Sequence, residues 1–268
     1  LAIASDSSYI QVTEVSSNTA KEIAGHTSFV NDIKFLPNST KFYSSSNDFT
    51  LRINDAADGS SSEFINTTFE LKKIDIHPSA KWLVGGTIEG ELMLYDLELE
   101  EEIKIYSNSG IPIQSVAFNN DGKLIVFGDE KGVVRVMGTD NKMIIHELSG
   151  HKGRVSSISF SPDGKLMATG SFDGVIQLWP LDELDELPIR ITDNDAYVWE
   201  VDFTPDSQYM ISACADGEVR KWPTNSDIFS KEMCKLIKRN MNEDEWKTYI
   251  GDDIPYRSTC VNLLLDDY

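Results

Sequence analysis

The chain has 268 residues, and its 44 acidic side chains against 24 basic ones give a formal net charge of −20. Such a surface repels nucleic-acid phosphates and anionic membranes, and no local basic patch stands out in the sequence, so neither partner is expected. No apolar stretch approaches the roughly 18–20 residues of a membrane span, and the opening LAIASDSS lacks the basic and apolar regions of a secretory signal.

Short strands of alternating apolar residues recur along the first 223 residues with a nearly constant period. The last apolar residue of the first strand is Phe35, Ile76, Phe118, Phe160 and Phe203 in successive repeats, which gives spacings of 41, 42, 42 and 43 residues. This period predicts a radial array of four-stranded sheets, because such a sheet buries both faces only between two neighbours. We expect a partial blade over 1–24 and full repeats starting near residues 25, 67, 109, 150 and 194.

Beyond Trp222 the apolar spacing changes from that of strands to that of helices. Residues 224–227 offer helix N-caps, and Asn242 with the three acidic residues after it starts a second short helix. The segment 224–268 is therefore expected to be a helical tail packed on the propeller, with a docking helix for another protein as the alternative. The side chains expected to pack it against a blade are Trp246, Tyr249 and Tyr256.

No catalytic residue, metal ligand or cofactor site is predicted. None of the four histidines has a Ser or Cys partner at an interpretable spacing, and the Asp-Gly pairs lack the ligand series of a calcium loop. The cysteines Cys214, Cys234 and Cys260 have no metal-ligand spacing, and Cys214 is expected to be a small buried hydrophobe. A reducing cytoplasm is the natural inference.

Turn and strand motifs repeat together with the period. Gly25-His26 and Gly150-His151 each open a repeat, SPDG and SFDG fill two turns between 161 and 174, and Trp179 and Trp222 end third strands. Through these motifs residues 1–223 resemble the WD-repeat β-propellers, and the tail resembles those that end large bacterial signalling or scaffold proteins. The resemblance implies an all-β propeller, with seven blades in the complete ring because seven is the commonest count in that family.

The first strand of the partial blade is missing from the sequence. LAIAS and YIQVTEV align with the second and third strands of a repeat, and a propeller closes into a ring because an open blade exposes unpaired edges. We therefore expect that residue 1 is not a natural start and that a longer parent protein supplies the rest of the blade, with the C-terminal tail as the alternative source.

In the resembling family a His, a Ser or Thr, a turn Asp and a Trp form one hydrogen-bonded set in each blade. By position this set is His151, Thr169, Asp173 and Trp179 in the fourth repeat. The first repeat keeps His26, Ser44 and Asp48 but has Asn54 for the Trp, and the fifth keeps Ser212, Asp216 and Trp222 but has Asn194 for the His. The second and third repeats lack the set, so apolar packing is expected to hold them. Asp48→Ala is expected to cost less than Asp173→Ala, because the Trp partner is already gone.

The resemblance also implies partner contacts on the top face, at three positions of each repeat. The first position gives Asn31, Lys72, Gln114, Ser156 and Trp199; the second gives Ile33, Ile74, Val116, Ile158 and Val201; the third gives Asn47, Ile88, Glu130, Phe172 and Ala215. Large aromatics are typical anchors, so Trp199 and Phe172 stand out, and Lys72 is expected to orient a peptide carboxylate. The alternative for Trp199 is that it folds inward beside Asn194.

These features favour a non-enzymatic scaffold or sensor module of a larger multidomain protein, which binds protein or peptide through the top face. Two alternatives stay open. The domain could be autoinhibitory and clamp its own parent protein. It could also be an enzyme with its active site at the central channel, which convergent polar residues with shifted pKa values would support.

Overall fold

The computed structural model describes residues 2–4, 8–14, 19–192, 194, 196–236, 239–249, 255–256 and 260. Within these ranges the chain forms six antiparallel sheets, which we number as blades 1 to 6 in chain order, followed by two helices. Blade 1 contains β1 (Ala2–Ala4), β2 (Tyr9–Glu14) and β3 (Thr19–Ala24); blade 2 contains β4 (Val30–Phe35), β5 (Lys41–Ser46), β6 (Thr50–Asp55) and β7 (Ser61–Asn66); blade 3 contains β8 (Leu71–Ile76), β9 (Trp82–Thr87), β10 (Glu91–Asp96) and β11 (Glu101–Ser107). Blade 4 contains β12 (Ile113–Phe118), β13 (Leu124–Asp129), β14 (Val134–Gly138) and β15 (Ile144–Leu148); blade 5 contains β16 (Val155–Phe160), β17 (Leu166–Ser171), β18 (Ile176–Pro180) and β19 (Ile189–Ile191); blade 6 contains β20 (Val198–Phe203), β21 (Tyr209–Cys214) and β22 (Val219–Pro223).

The structure confirms an all-β propeller, and the described residues form six blades where seven were expected for the complete ring. Seven was the commonest number in the resembling family and did not follow from any residue of this chain. The inner strands of blades 2 to 6 surround one narrow channel, across which Lys73 Nζ of β8 lies 3.4 Å from Glu200 Oε2 of β20. In the described residues, blades 1 and 6 have three strands each.

The hydrophobic core lies between neighbouring blades. Between blades 3 and 4, for example, Val84 and Leu94 of one sheet pack with Ile113 and Phe127 of the other, all of them at most 2% exposed. Each middle sheet therefore contributes apolar side chains from both faces, as the repeat period predicts.

Every inner strand of blades 2 to 6 carries a β-bulge at the same position, just after its first residue. A bulge inserts one unpaired residue and re-aims the side chains around it. The unpaired residues are Asn31, Lys72, Gln114, Ser156 and Trp199. They are the first set of positions that the sequence assigned to the top face.

The bulge also explains why the second set of expected top-face positions is wrong. Ile74, Val116 and Val201 are each at most 6% exposed. Ile33 and Ile158 are half-buried and pack against the same kind of interblade core. The residue that follows each bulge, such as Lys73 or Glu200, faces the channel instead. The inserted residue shifts the alternation of side chains along the strand by one position.

The tail forms the two expected short helices, α1 (Ser226–Leu236) and α2 (Glu243–Tyr249). Asn225 caps α1, since its Oδ1 accepts the N–H of Ile228 at 2.9 Å. Asn242 and Glu245 form a capping box at α2, with reciprocal side-chain to backbone distances of 2.9 and 3.0 Å. None of the helices in the described part of the chain is long and apolar enough to cross a membrane.

A disulfide that the sequence analysis did not anticipate closes the tail. Cys234 in α1 pairs with Cys260, and the backbone of Cys260 makes two 2.9 Å hydrogen bonds with the buried amide of Asn240. Trp246 is 6% exposed and meets Tyr256 edge to face within the tail. The side chain of Tyr249, the third aromatic residue expected to pack the tail, lies outside the described residues. Cys214 is free and buried, as expected.

Candidate functional site

Blade 5 brings the expected hydrogen-bonded set together. His151 Nε2 lies 2.9 Å from Thr169 Oγ1, and the indole N–H of Trp179 donates to the same oxygen at 3.3 Å. Asp173 accepts the N–H groups of Lys152 at 2.7 Å and Val175 at 3.0 Å, and lies 3.4 Å from His151 Nδ1. Burial opposes ionisation, but these donors outweigh it and hold the pKa of Asp173 well below its usual range.

Blade 2 completes the same set with a different donor. The amide of Asn54 donates to Ser44 Oγ at 2.8 Å, in the role that the indole of Trp179 has in blade 5. Ser44 Oγ lies 2.8 Å from His26 Nε2, and His26 Nδ1 lies 3.0 Å from Asp48 Oδ2. Burial lowers the pKa of His26, whereas hydrogen bonds overcome burial at Asp48 and lower its pKa to about 2. The substitution of Trp by Asn therefore does not break the set.

Blade 6 keeps only half of the set. Trp222 Nε1 donates to Ser212 Oγ at 2.9 Å, as expected. Asp216, however, turns outward and forms an ion pair with Arg220 at 2.6 Å, because no histidine faces it. Asn194, which replaces that histidine, lies 3.4 Å from the thiol of Cys214 instead. The assignment of Asp216 to the structural set is thus wrong.

Blades 3 and 4 are not held by apolar packing alone. In blade 4 the carboxylate of Asp129 is 1% exposed, receives Arg135 Nη1 at 2.8 Å and accepts from the amide of Asn108 at 3.1 Å. Burial opposes its ionisation, but these donors lower the pKa of Asp129. In blade 3 the hydroxyl of Tyr95 donates to Glu102 at 2.9 Å. The motif alignment missed Asp129, because it ends strand β13 and lies two residues before the aligned turn position.

The five bulged residues of the inner strands surround one opening at the top of the channel. This mouth cavity has a volume of about 310 Å³. Its lining residues are Asn31, Lys72, Lys73, Gln114, Arg154, Ser156, Trp199 and Glu200. The β-bulge is the physical cause of this convergence, since it aims the corresponding side chain of each blade at the same place.

Several of the expected top-face residues are already occupied by other groups. Asn31 donates to the carbonyl of Leu71 at 2.9 Å, and Ser156 donates to that of Val198 at 2.5 Å. Both side chains therefore tie their blade to the next one. Lys72 forms an ion pair with Glu70, and Gln114 donates to Glu130 at 2.7 Å. Asn47 is half-buried beside the turn of blade 2.

Three aromatic side chains form a cluster on one rim of the mouth cavity. Phe172 stacks on Tyr197 with ring centroids 4.9 Å apart and meets Trp199 edge to face at 4.8 Å. Trp199 is 49% exposed, so it does not fold inward beside Asn194 as the alternative required. Arg154 covers the Phe172 ring at 3.6 Å. We call these four residues the aromatic cluster; the sequence analysis named Phe172 and Trp199 but missed Tyr197 and Arg154.

A positional signal would have found the two missed residues. The residue just before each inner strand accepts, through its carbonyl, the N–H of the third top-face position: Phe172 N–H donates to Arg154 at 3.0 Å, and Ala215 N–H donates to Tyr197 at 2.8 Å. This backbone pair places the preceding side chain beside the turn on the top face in each repeat.

Below the mouth, charged side chains of the inner strands clasp neighbouring blades together. Asp32 accepts the N–H of Ile74 at 2.9 Å, and Asp75 accepts that of Phe118 at 2.7 Å. Asp32 raises the pKa of Lys73, and burial raises the pKa of Asp75. The space between these groups is only about 20 Å³, roughly enough for one water. The shifted pKa values of Lys73 and Asp75 thus accompany contacts between neighbouring blades.

No cluster of His, Cys, Asp or Glu suited to a metal ion occurs among the described residues. The sheets are arranged radially around a channel, and two blades contain the same contacts among a His, a hydroxyl and an Asp. The fold is therefore a β-propeller of repeated blades.

The comparison with known proteins specifies the family. The family model for the WD domain, G-beta repeat, matches residues 17–55, 142–180 and 187–223. Pre-mRNA-processing factor 19 homolog 2 of Arabidopsis thaliana is 26% identical over 139 residues, which cover 50% of this chain and 26% of that protein. Serine-threonine kinase receptor-associated protein of Homo sapiens is 33% identical over 69 residues, which cover 26% of this chain and 20% of that protein. The chain thus carries WD repeats in three places on a β-propeller fold, and its matches span about a quarter or less of the length of these curated relatives.

Proposed function

We propose that this chain is a non-enzymatic scaffold module that binds a protein or peptide through the top face, at the mouth cavity and the aromatic cluster. One observation carries the proposal: Trp199 and Tyr197 are 49% and 53% exposed at the rim of a cavity. Large aromatic residues that are preorganised by their neighbours are typical interface anchors. Phe172 provides that support, because it contacts both rings.

The matched relatives are consistent with protein binding. One of them is named for its association with a serine-threonine kinase receptor. A place within a larger signalling or scaffold protein and a cytoplasmic location belong to the same proposal. The bacterial origin expected from the tail gains no support, because the matched relatives are plant and animal proteins.

The test is an affinity pull-down from native lysate with the wild-type chain and a Phe172→Ala, Trp199→Ala variant, with eluted proteins identified by mass spectrometry. A matched control is Phe229→Ala, which removes a 55% exposed aromatic from α1. A protein that the wild type and the control retain and the double variant loses supports the proposal. Loss with the control alone would favour the tail as the docking element instead.

The autoinhibitory alternative differs only in where the partner lies. If no separate protein depends on the aromatic cluster, the same variants are compared within the parent protein. Release of a parent activity by the Phe172→Ala, Trp199→Ala variant would favour autoinhibition. An enzymatic role of the channel would require turnover of a substrate bound at its mouth.

A further inference from the structure

Arg154 is the cation of the mouth cavity that has no acidic partner in the described part of the chain. Lys72 forms an ion pair with Glu70, and Lys73 lies between Asp32 and Glu200 at 3.5 and 3.4 Å. No described carboxylate lies within ion-pair distance of the Arg154 guanidinium, although the chain has 44 acidic residues against 24 basic ones. Its contact is with the face of Phe172, at 3.6 Å.

The one acid that lines the same cavity is already held by other groups. Glu200 Oε1 accepts the hydroxyl of Ser157 at 2.5 Å, and its Oε2 lies 3.4 Å from Lys73. Glu200 is thereby directed toward the channel wall. Among the carboxylates that the structure describes, none neutralises the charge of Arg154, which is available to a ligand.

The geometry of Arg154 suits a planar anion. A guanidinium that covers an aromatic ring keeps its N–H groups available at its edge, where two of them match the oxygens of a carboxylate. Phe172 supports one face of the guanidinium, and the same ring contacts Tyr197 and Trp199. A single ligand segment can thus meet a cation and two exposed aromatic rings at one rim of the cavity.

We propose that the top face recognises a peptide segment with an Asp or Glu carboxylate that Arg154 binds, next to an apolar side chain that rests on Tyr197 and Trp199. This inference rests on the proposed function and specifies its partner. A single carboxylate fits better than a phosphorylated residue, because Lys72 and Lys73 are already paired with acids and Arg154 offers one unpaired charge among the described residues.

The probe is an array of random decapeptides incubated with the full chain. Enriched peptides are expected to contain Asp or Glu within about three residues of Phe, Trp or Leu. The best of them is resynthesised with that acid as Gln and as phosphoserine, and its affinity is measured by fluorescence polarisation. We expect Gln to weaken binding about 30-fold or more, the usual result of removing one partner of a hydrogen-bonded charge pair.

Protein variants locate the effect. Arg154→Gln should weaken binding of the acidic peptide by the same factor as replacing the acid of that peptide by Gln. Combining the two changes should weaken binding little further, because both remove the same contact. Arg154→Lys keeps the charge without the planar fork and should give an intermediate loss. The matched control Arg190→Gln removes an exposed arginine from the outer strand β19 and should leave affinity unchanged. Equal melting temperatures establish that the variants are folded.

The outcomes separate this inference from the proposed function. If Trp199→Ala abolishes peptide binding while Arg154→Gln leaves it unchanged, the top face binds peptides but the acidic specificity is wrong. If phosphoserine binds more tightly than Glu, the ligand is a phosphopeptide and the carboxylate is rejected. If no peptide binds in a manner that depends on Trp199, both proposals fail.

Discussion

Replacing Asp48 by alanine tests whether blade 2 is held by a complete hydrogen-bonded set. Asp48 accepts the N–H groups of Thr27 at 2.8 Å and Thr50 at 3.0 Å and the hydroxyl of Thr50 at 2.7 Å. Its removal also leaves His26 Nδ1, on a side chain that is 2% exposed, without this carboxylate. Hydrogen bonds to a charged group contribute about 1.5–3 kcal/mol each, and partial rehydration reduces their sum, so we expect a loss of about 2–4 kcal/mol.

Asp173→Ala in blade 5 is the matched comparison. Asp173 accepts two backbone N–H groups and lies farther from its histidine, at 3.4 Å instead of 3.0 Å. We expect a loss of about 2–3 kcal/mol, no greater than that of Asp48→Ala. This reverses the expectation from sequence, which ranked Asp48 lower because Asn54 replaces the Trp. The amide of Asn54 donates to Ser44 and removes that reason.

The assay combines thermal unfolding with amide exchange of β4–β7 and β16–β19, because blades of a repeat protein can open separately. For a chain of this size the losses correspond to melting temperatures lowered by about 4–16 °C. Asp216→Ala is the control, since its carboxylate forms an exposed ion pair, and we expect no resolved change. An Asp48→Ala loss below half of the Asp173→Ala loss would refute the argument.

Three further predictions concern other parts of the chain. Burial lowers the pKa of His26 below 6.5, so the neutral side chain stabilises the fold fully above that pH and its contribution declines as the pH falls. His26→Gln should therefore flatten the decline of melting temperature between about pH 7 and 5. An unchanged slope contradicts this. Asp129→Ala removes the buried partner of Arg135 and Asn108 and leaves Arg135 only the exposed Glu147, so it should cost about 3 kcal/mol in chemical unfolding. A loss below about 1 kcal/mol would mean that apolar packing alone holds blade 4. Cys234→Ser opens the loop that the disulfide closes, of 26 residues, and should lower the stability of the tail by about 3 kcal/mol. The expected sign is faster amide exchange in α1 and α2, with exchange in the propeller strands unchanged. Three free thiols in the native protein instead of one would show that Cys234 and Cys260 are reduced, as a cytoplasmic location favours.

Much of the fold was predictable because its determinants are local. The alternation of apolar residues and the turn motifs specify each strand, and Asn225 and Asn242 mark both helix starts through short-range caps. The set of His151 and Asp173 was equally accessible, since its members recur at fixed positions in a repeat. In each case the determining contacts lie within one blade or one helical turn.

The aromatic anchors Phe172 and Trp199 were named from sequence, because their positions repeat with the period. The ring contacts among Phe172, Tyr197 and Trp199 could not be predicted from sequence, because stacking depends on how two neighbouring blades meet. The lack of a described carboxylate beside Arg154 could not be predicted either, because it depends on how distant parts of the chain pack.

The sequence by itself determined the class of fold and the period of its blades. Tertiary structure alone decided the outward turn of Asp216, the pairing of Cys234 with Cys260 and the burial of Ile74 and its counterparts. The physical reason is the separation along the chain of the residues that make the determining contacts. Hydrogen bonds within a repeat are encoded by spacing, whereas a β-bulge, a disulfide or a competing ion pair depends on contacts that exist only after distant parts of the chain have packed.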